Sequence, residues 1–347
     1  YGVEAISERA MGRDAPALRS ALRFDRRKLS DAAQAELPQW LYDLVIEQYP
    51  DAGALCEAMT QPAPLDLRVN LMKAKREAVM EALHGYRLGA DGAQPEVTPF
   101  SPEGIRLHEK PALMRWPLYQ DGLIEVQDEG SQLIARLLAP KRGQMVADFC
   151  AGAGGKTLAL GALMRSTGRL YAFDINAKRL AGLGPRLKRS GLSNVHPTAL
   201  SSERDVRIKR LAGKMDRVLV DAPCSGSGTL RRNPDLKMRF DEQELARVCT
   251  VQAQVLRAAA RLVKPGGRLV YATCSLLARE NQDQIEAFLK EHPQFSVRPA
   301  AEVLLAQGIE IEGASRFSPW FVMLPHVHGT DGFFAAVLEK AVSRKRE

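Results

Sequence analysis

The sequence predicts an α/β protein whose larger C-terminal part is a doubly wound, mostly parallel sheet, preceded by a small α+β unit and a run of helices. Three observations carry this. From Ser131 onward, β-branched apolar runs (MVADF, RLYAFDI, MDRVLVDAP, GGRLVYATCS) alternate with helical segments, as strands do when crossover helices bury both faces. Between about 61 and 125, alternating residues in PLDLRVN (Leu65, Leu67, Val69) and in GIRLHEK flank a helical KAKREAVMEALHGY. Before that, apolar positions follow helical spacing.

In chain order, LSDAAQAEL opens a helix capped by Ser30 or Asp31, and PQWLYDLVIEQYP places Trp40, Leu41, Leu44, Val45 and Ile46 near one helical face until Pro50. The helix after the first strand stops at Gly85. SQLIARLLAP is a helix leading into MVADF. AKRLAGLGPRLKRSG, QELARVCTVQAQVLRAAARLV and ARENQDQIEAFLKEH fill the crossovers, and DGFFAAVLEK reads as a last, antiparallel strand at a sheet edge. The expected domains are a helical 1–60, an α+β unit 61–125 and an α/β domain 126–347, with no repeats.

A length of 347 residues suits two or three domains. The net charge of +8 points to a polyanionic partner, nucleic acid being the commonest, with a merely basic enzyme as the bland alternative. Aromatics at 6% argue against a broad base-stacking surface and leave room for one pocket. No apolar stretch approaches the ~20 residues of a membrane span, and the opening YGVEAISERAMGRD has no signal-peptide core. Tyr1 in place of an initiator Met marks the chain as a candidate piece of a longer one. The five cysteines (56, 150, 224, 249, 274) form no C-x-x-C and lie far from the histidines. Reduced thiols, a cytoplasmic location and no metal are therefore expected, with a monomer as the default.

FCAGAGGKTLAL, Phe149 to Leu160, lies between a strand and a helix, where doubly wound sheets bind ligands. It mimics the phosphate loop G-x-x-x-x-G-K-[ST]. Counting back from Gly155, Lys156 and Thr157, however, the required first glycine is Cys150. RVLVDAP, ending in Asp221, resembles a Walker B strand and keeps an NTPase as the alternative. The dinucleotide pattern G-x-G-x-x-G fails too, because Gly152, Gly154 and Gly155 are too closely spaced. Asp174, ending the next strand, suits a ribose, whose hydroxyls can both donate to one carboxylate. What remains is a nucleoside-bearing ligand approached by bare backbone, and S-adenosylmethionine is the natural candidate.

Cys224 in DAPCSGSGTL and Cys274 in YATCS each begin a loop just after a strand, beside Pro, Gly or Ser. Cys56 and Cys249 read instead as small buried hydrophobes. DAPCSG paired with YATCS, together with GGKT and a terminal DGFF, resembles the RNA cytosine-5 methyltransferases of the Nol/Nop/Sun type, whose bacterial Fmu/Sun members modify small-subunit ribosomal RNA. The resemblance covers about Pro62 to Leu338.

It implies a Rossmann-like class I methyltransferase domain and an RNA-recognition-like subdomain over 61–125. Residues 1–60 would be the end of a further RNA-binding domain. It also implies methyl transfer from S-adenosylmethionine to cytosine C5. That carbon is a poor nucleophile until a thiolate adds at C6, which splits one hard step into easier ones. In the family pattern Cys274 is the nucleophile and Cys224 assists breakdown of the adduct. The exchanged roles, by the logic of DNA methyltransferases, are the alternative. Asp221 would bond the cytosine N3 or amino group, or else merely cap its loop.

The implied cofactor set is the backbone of Cys150, Ala151, Gly152, Ala153, Gly154, Gly155 and Lys156, with Asp174, Arg179 and Asp221. Asp205, in Asp205-Val206-Arg207, joins it, with Glu203 as a competitor. The family loop is usually A-P-G-G-K-T, so Ala153 stands where proline is common. Lys156 reaches a substrate phosphate, caps the site or is solvated.

Arg231, Arg232, Lys237 and Arg239 in RRNPDLKMR follow the Cys224 loop and are candidate phosphate contacts, against the usual reading of a solvated charge run. The basic helix Pro185 to Arg189 and the run Arg207 to Arg210 are weaker phosphate candidates that read rather as surface. A target cytosine must leave its stack to meet a thiolate, so single-stranded or loop RNA, ribosomal by the resemblance, is the expected partner. A non-catalytic RNA-binding module is a third reading, disfavoured by the two strand-end cysteines.

Overall fold

The computed structural model describes residues 28–86 and 94–342; the expectations for residues 1–27 lie outside them. Ser30 caps the helix Asp31–Gln34 by accepting from Ala33 N, which settles the choice left between Ser30 and Asp31. The helices Gln39–Gln48 and Ala52–Thr60 pack against the catalytic half. Leu41, Val45, Leu55 and Met59 are buried in the same cluster as Leu245, Tyr271 and Phe288 of the catalytic half. Gln48 Nε2 and Tyr49 Oη both donate to the Leu276 carbonyl, at 2.7 and 2.8 Å, so these helices brace the loop that carries Cys274.

The α+β unit comprises β1 (Leu65–Val69), the helix Arg76–His84, β2 (Glu96–Val97), β3 (Gly104–Leu107) and, after a short helix, β4 (Ile124–Val126). The strands pair antiparallel in the order β2-β3-β1-β4, a ferredoxin-like split βαβ arrangement. Leu67, Val69, Val79, Leu83, Ile105, Leu107 and Ile124 form its own core. Asp66 on β1 takes both Nε and Nη2 of Arg106 on β3, at 2.7 and 2.9 Å.

The larger sheet follows the order expected of a doubly wound fold. β5 (Met145–Asp148), β6 (Arg169–Asp174), β7 (Val195–Ala199), β8 (Met215–Asp221) and β9 (Val263–Thr273) are parallel, arranged β7-β6-β5-β8-β9. The chain runs outward from β5 through β7, then returns to β8 on the other side of β5. The crevice at that reversal is where such sheets bind ligands. β7 carried no recognisable strand signal because VHPTA includes a proline and two polar residues; an edge strand tolerates both.

One expectation is corrected. DGFFAAVLEK contains β12 (Phe333–Lys340), which is antiparallel but not at an edge. It lies between β9 and β10 (Phe295–Arg298), and also pairs β11 (Phe321–Met323). Phe334 to Leu338 are buried without a break, as a strand covered on both faces requires. Among the described residues no helix is long and apolar enough to cross a membrane.

Candidate active site

The loop after β5 is shaped by two glycines with positive φ, Gly152 (+53°) and Gly154 (+86°), and the helix Gly155–Leu163 starts directly behind them. A Cβ on Gly154 would lie 2.2 Å from Leu183 Cδ1, so both conformation and space demand glycine there. Asp174, at the end of β6, holds the loop down. Its Oδ2 accepts from Gly152 N and its Oδ1 from Asn176 N, each at 2.7 Å, which leaves further lone pairs on both oxygens. Arg179 flanks the same glycine. From the other side, Arg186 Nη1 donates to the Ala153 carbonyl at 2.7 Å while its Nε and Nη2 grip Glu125 of β4.

A cleft of about 380 Å³ opens over this loop, walled by Cys150 to Ala153, Gly155, Lys156, Arg179 and Asp221, with Asp128, Asp331 and Phe333 opposite. Its size falls within the ~300–1,000 Å³ of small-molecule sites. A larger cavity of about 590 Å³ lies beside the helix Ala300–Leu305, but its walls carry no Cys, Lys, Arg or His, so the chemistry points to the smaller one. Glycine-loop backbone and acidic groups facing a cation line the smaller cleft and suit a nucleoside with an amino-acid tail; Asp174 lies just behind that lining, bonded to Gly152 N. Among the described residues no group of His, Cys, Asp and Glu is arranged to hold a metal.

Lys156 does not point at a phosphate cradle. Its Nζ binds Asp221 Oδ2 at 2.8 Å, 5.9 Å from the Phe333 ring centre. Burial alone would lower its pKa, but Asp221 and, more weakly, Cys274 outweigh that and hold the ammonium above its ordinary range. Beneath the loop, Asp148 is buried and its carboxyl is pushed up to about 7, by burial first and then by Asp221 and Asp174, although Thr157 Oγ1 donates to it.

Cys224, just past the end of β8, and Cys274, just past the end of β9, are brought together with their Sγ atoms 3.1 Å apart. The bond to Cys274 and burial push the Cys224 thiol well up. A Cys224 held as S–H can donate to the Cys274 sulfur. Burial pushes Cys150 well up too, as suits an inert wall thiol. Cys56 is buried on the inner face of the helix Ala52–Thr60, as expected, whereas Cys249 on the helix Glu242–Ala260 is only half-buried and donates to the Arg279 carbonyl.

Several expected contacts are placed differently. Asp205 caps the helix Val206–Arg210, and its carboxylate binds Ser201 and Arg207, which holds it well below the usual range; it does not wall the cleft. Arg231 and Arg232 are not free for phosphate. Arg231, with a side chain only 6% exposed, pairs with Asp331 at 2.6 Å, and Arg232 bridges Asp331 and Asp128. Lys237 pairs with Glu36 at 3.2 Å, leaving Arg239 the most exposed of the four, beside Asp235. Arg186 and Arg189, expected at the surface, both bind the buried Glu125, and Arg189 covers the Tyr119 ring at 4.0 Å.

Sequence reasoning missed Glu125, Asp128 and Glu280. Asp128 alone had a signal, as the N-cap of the helix Glu129–Leu138.

Comparison with known proteins agrees with this fold. A family model described as 16S rRNA methyltransferase RsmB/F matches residues 135–339, and one described as an RsmF/B-like ferredoxin-like domain matches 37–113. A probable ribosomal RNA small subunit methyltransferase B of Synechocystis is 36% identical over 324 residues, covering 92% of this chain and 70% of the relative. The Bacillus subtilis counterpart is 33% identical, covering 89% and 67%. A methyltransferase homolog protein from Pyrococcus horikoshii superposes with a TM-score of 0.73 at 31% identity, over 90% of this chain and 100% of that one. NSun6 from the same organism, solved with the S-adenosylmethionine analogue SFG, gives 0.75 over 88% and 99%; at 20% identity it speaks to the fold alone. With its Rossmann-like sheet, its ferredoxin-like unit and its paired strand-end cysteines, the chain belongs to the RsmB/F family of 16S ribosomal RNA methyltransferases.

Proposed function

We propose that the protein methylates C5 of a cytosine in ribosomal RNA, with S-adenosylmethionine as methyl donor and Cys274 as nucleophile. The observation that carries this is the contact between the Cys224 and Cys274 thiols at 3.1 Å, beside the Lys156–Asp221 pair, at the strand ends next to the cleft. The backbone from Cys150 to Lys156, Asp174 and Arg179 would hold the cofactor, which supplies an electrophilic methyl group when bound. Cys274 adds as thiolate to C6 of the flipped base, and electron density passes to C5, which takes the methyl. Asp221 accepts from the cytosine amino group or bonds a protonated N3, and Lys156 offsets the charge that develops on the ring. Elimination then needs a base for the C5 proton and the departure of Cys274 as thiolate; we assign the base to Cys224, 3.1 Å from Cys274, which must first lose its own S–H proton to solvent and regains one from C5 as the C6–S bond breaks.

The enzyme reads as a cytoplasmic monomer with its catalytic domain over 126–347. Arg239 and Lys237 remain as candidate phosphate contacts. The test is covalent trapping. Cys224→Ala incubated with ribosomal RNA and S-adenosylmethionine should accumulate a protein–RNA adduct on a denaturing gel, and Cys274→Ala should form none. An adduct from Cys274→Ala would exchange the roles; no adduct from either would remove the covalent mechanism.

A further inference from the structure

Each reactive cysteine is followed by a serine, and both serines bond the same buried carboxylate. Glu280 is 0% exposed, and its Oε1 accepts from Ser225 N at 2.7 Å and from Gln252 Nε2 at 3.0 Å. Its Oε2 accepts from Ser225 Oγ at 2.5 Å and also from Ser275 Oγ. No cation pairs with it among the described residues. Four donors from two loops and one helix therefore converge on a single acceptor-only group.

We infer that Glu280 is a positioning residue that sets the separation of the Cys224 and Cys274 thiols by drawing Ser225 and Ser275 onto one carboxylate. This rests on the two-cysteine reading of the site. Further bonds run between the same loops: Gly228 N donates to the Cys274 carbonyl at 3.0 Å, and Leu276 N to Ser227 Oγ at 2.9 Å. These clamp backbone to backbone, or backbone to Ser227. Ser225 Oγ and Ser275 Oγ also meet directly at 3.3 Å, and Ser227 Oγ lies 3.1 Å from each, but among the described residues Glu280 is the one charged group that holds both residues directly after the cysteines.

The isosteric change Glu280→Gln shows what the carboxylate contributes. The two N–H donors facing Oε1 cannot accept, so the amide oxygen must stand there and the amide nitrogen must face the serine hydroxyls. Those hydroxyls already accept from Ser227 N at 3.2 Å and Leu277 N at 3.1 Å. They must then turn their own protons elsewhere, so the two short charge-assisted bonds to one carboxylate are replaced at best by weaker, longer bonds from a neutral amide, while side-chain volume is kept.

The experiment compares the wild-type chain with Glu280→Gln in a cross-linking assay with diamide. This reagent takes two electrons and two protons from a pair of thiols and is reduced to the hydrazine as the disulfide forms. Mass spectrometry follows the Cys224–Cys274 disulfide, and calorimetry follows S-adenosylhomocysteine binding on the same preparations. Glu280→Gln should cross-link at least about tenfold more slowly and methylate RNA correspondingly slowly, because sub-ångström placement governs both reactions. Its S-adenosylhomocysteine affinity should be unchanged. An unchanged cross-linking rate overturns the inference, and so does a loss of cross-linking matched by an equal loss of ligand binding, since general loosening would then explain both. Should Glu280→Gln fail to fold, Ser225→Ala and Ser275→Ala each remove one strut and face the same criteria. The cross-linking rate judges Glu280 independently of RNA trapping by Cys224→Ala, so failure of the two-cysteine mechanism would be seen separately.

Discussion

Asp148 should make the protein lose stability as pH rises, the reverse of an ion-paired aspartate. The residue ends β5 beneath the glycine loop and is 1% exposed, with Oδ2 bonded to Thr157 Oγ1 at 2.7 Å and Oδ1 without a partner. Burial, then Asp221 and Asp174, raise its carboxyl from the ordinary 3.8 to about 7. The folded protein therefore binds a proton over a range where the unfolded chain has released it. The stabilisation is complete below the unfolded value and is lost as pH climbs through the folded one, a total of roughly 4 kcal/mol at about 1.4 kcal/mol per pH unit. Asp148→Asn keeps the shape, still accepts from Thr157 and cannot ionise. Urea unfolding of both proteins across about pH 5 to 8 should show the variant gaining on the wild type by roughly 3 kcal/mol, then levelling off. Parallel curves would refute the reasoning, as would a wild type that gains on the variant with rising pH.

Three further changes test the loop and the charge clusters. Gly154→Ala forces a left-handed alanine against Leu183; it should cost at least about 1–2 kcal/mol in denaturant unfolding and weaken S-adenosylhomocysteine binding measured by calorimetry. Arg231→Ala leaves the buried Asp331 short of a partner. It should cost roughly 3–5 kcal/mol of stability without altering the salt dependence of RNA binding, whereas a phosphate-binding arginine would show the opposite pattern. Glu125→Gln should lower S-adenosylhomocysteine affinity about five- to tenfold, because it loosens Arg186 from the Ala153 carbonyl; an unchanged affinity would separate the ferredoxin-like unit from the cofactor loop.

Periodicity was enough to find the strands that matter, because β5 and the C-terminal parts of β8 and β9 (Val218–Val220 and Leu269–Ala272) are buried residue after residue and leave apolar runs. The strand-end positions of Asp221, Cys224 and Cys274 followed from those boundaries, and that of Asp174 from the end of β6. Charge was far less readable. RRNPDLKMR looks like a phosphate-binding stretch until Asp128 and Asp331, about one hundred and more residues away on either side, are seen to take up Arg231 and Arg232. PRLKR looks solvated because nothing local announces that Glu125, from a different sheet, is buried beneath it. Glu280 was invisible for the same reason: a glutamate in ARENQ reads as surface until four donors from elsewhere in the fold surround it. Local sequence reports which face is apolar; it does not report which distant partner satisfies a charge.

The placement of β12 bears on how the enzyme is made. Phe333–Lys340 is among the last of the described segments to be synthesised, yet it occupies the interior of the sheet, and Gly332 N donates to Gly228 O at 2.7 Å under the Cys224 loop. A nascent chain lacking these residues presents β9 as an open edge, with both cysteine loops short of their final support. Competence for methyl transfer therefore waits until β12 has followed β9 off the ribosome and closed that side of the sheet.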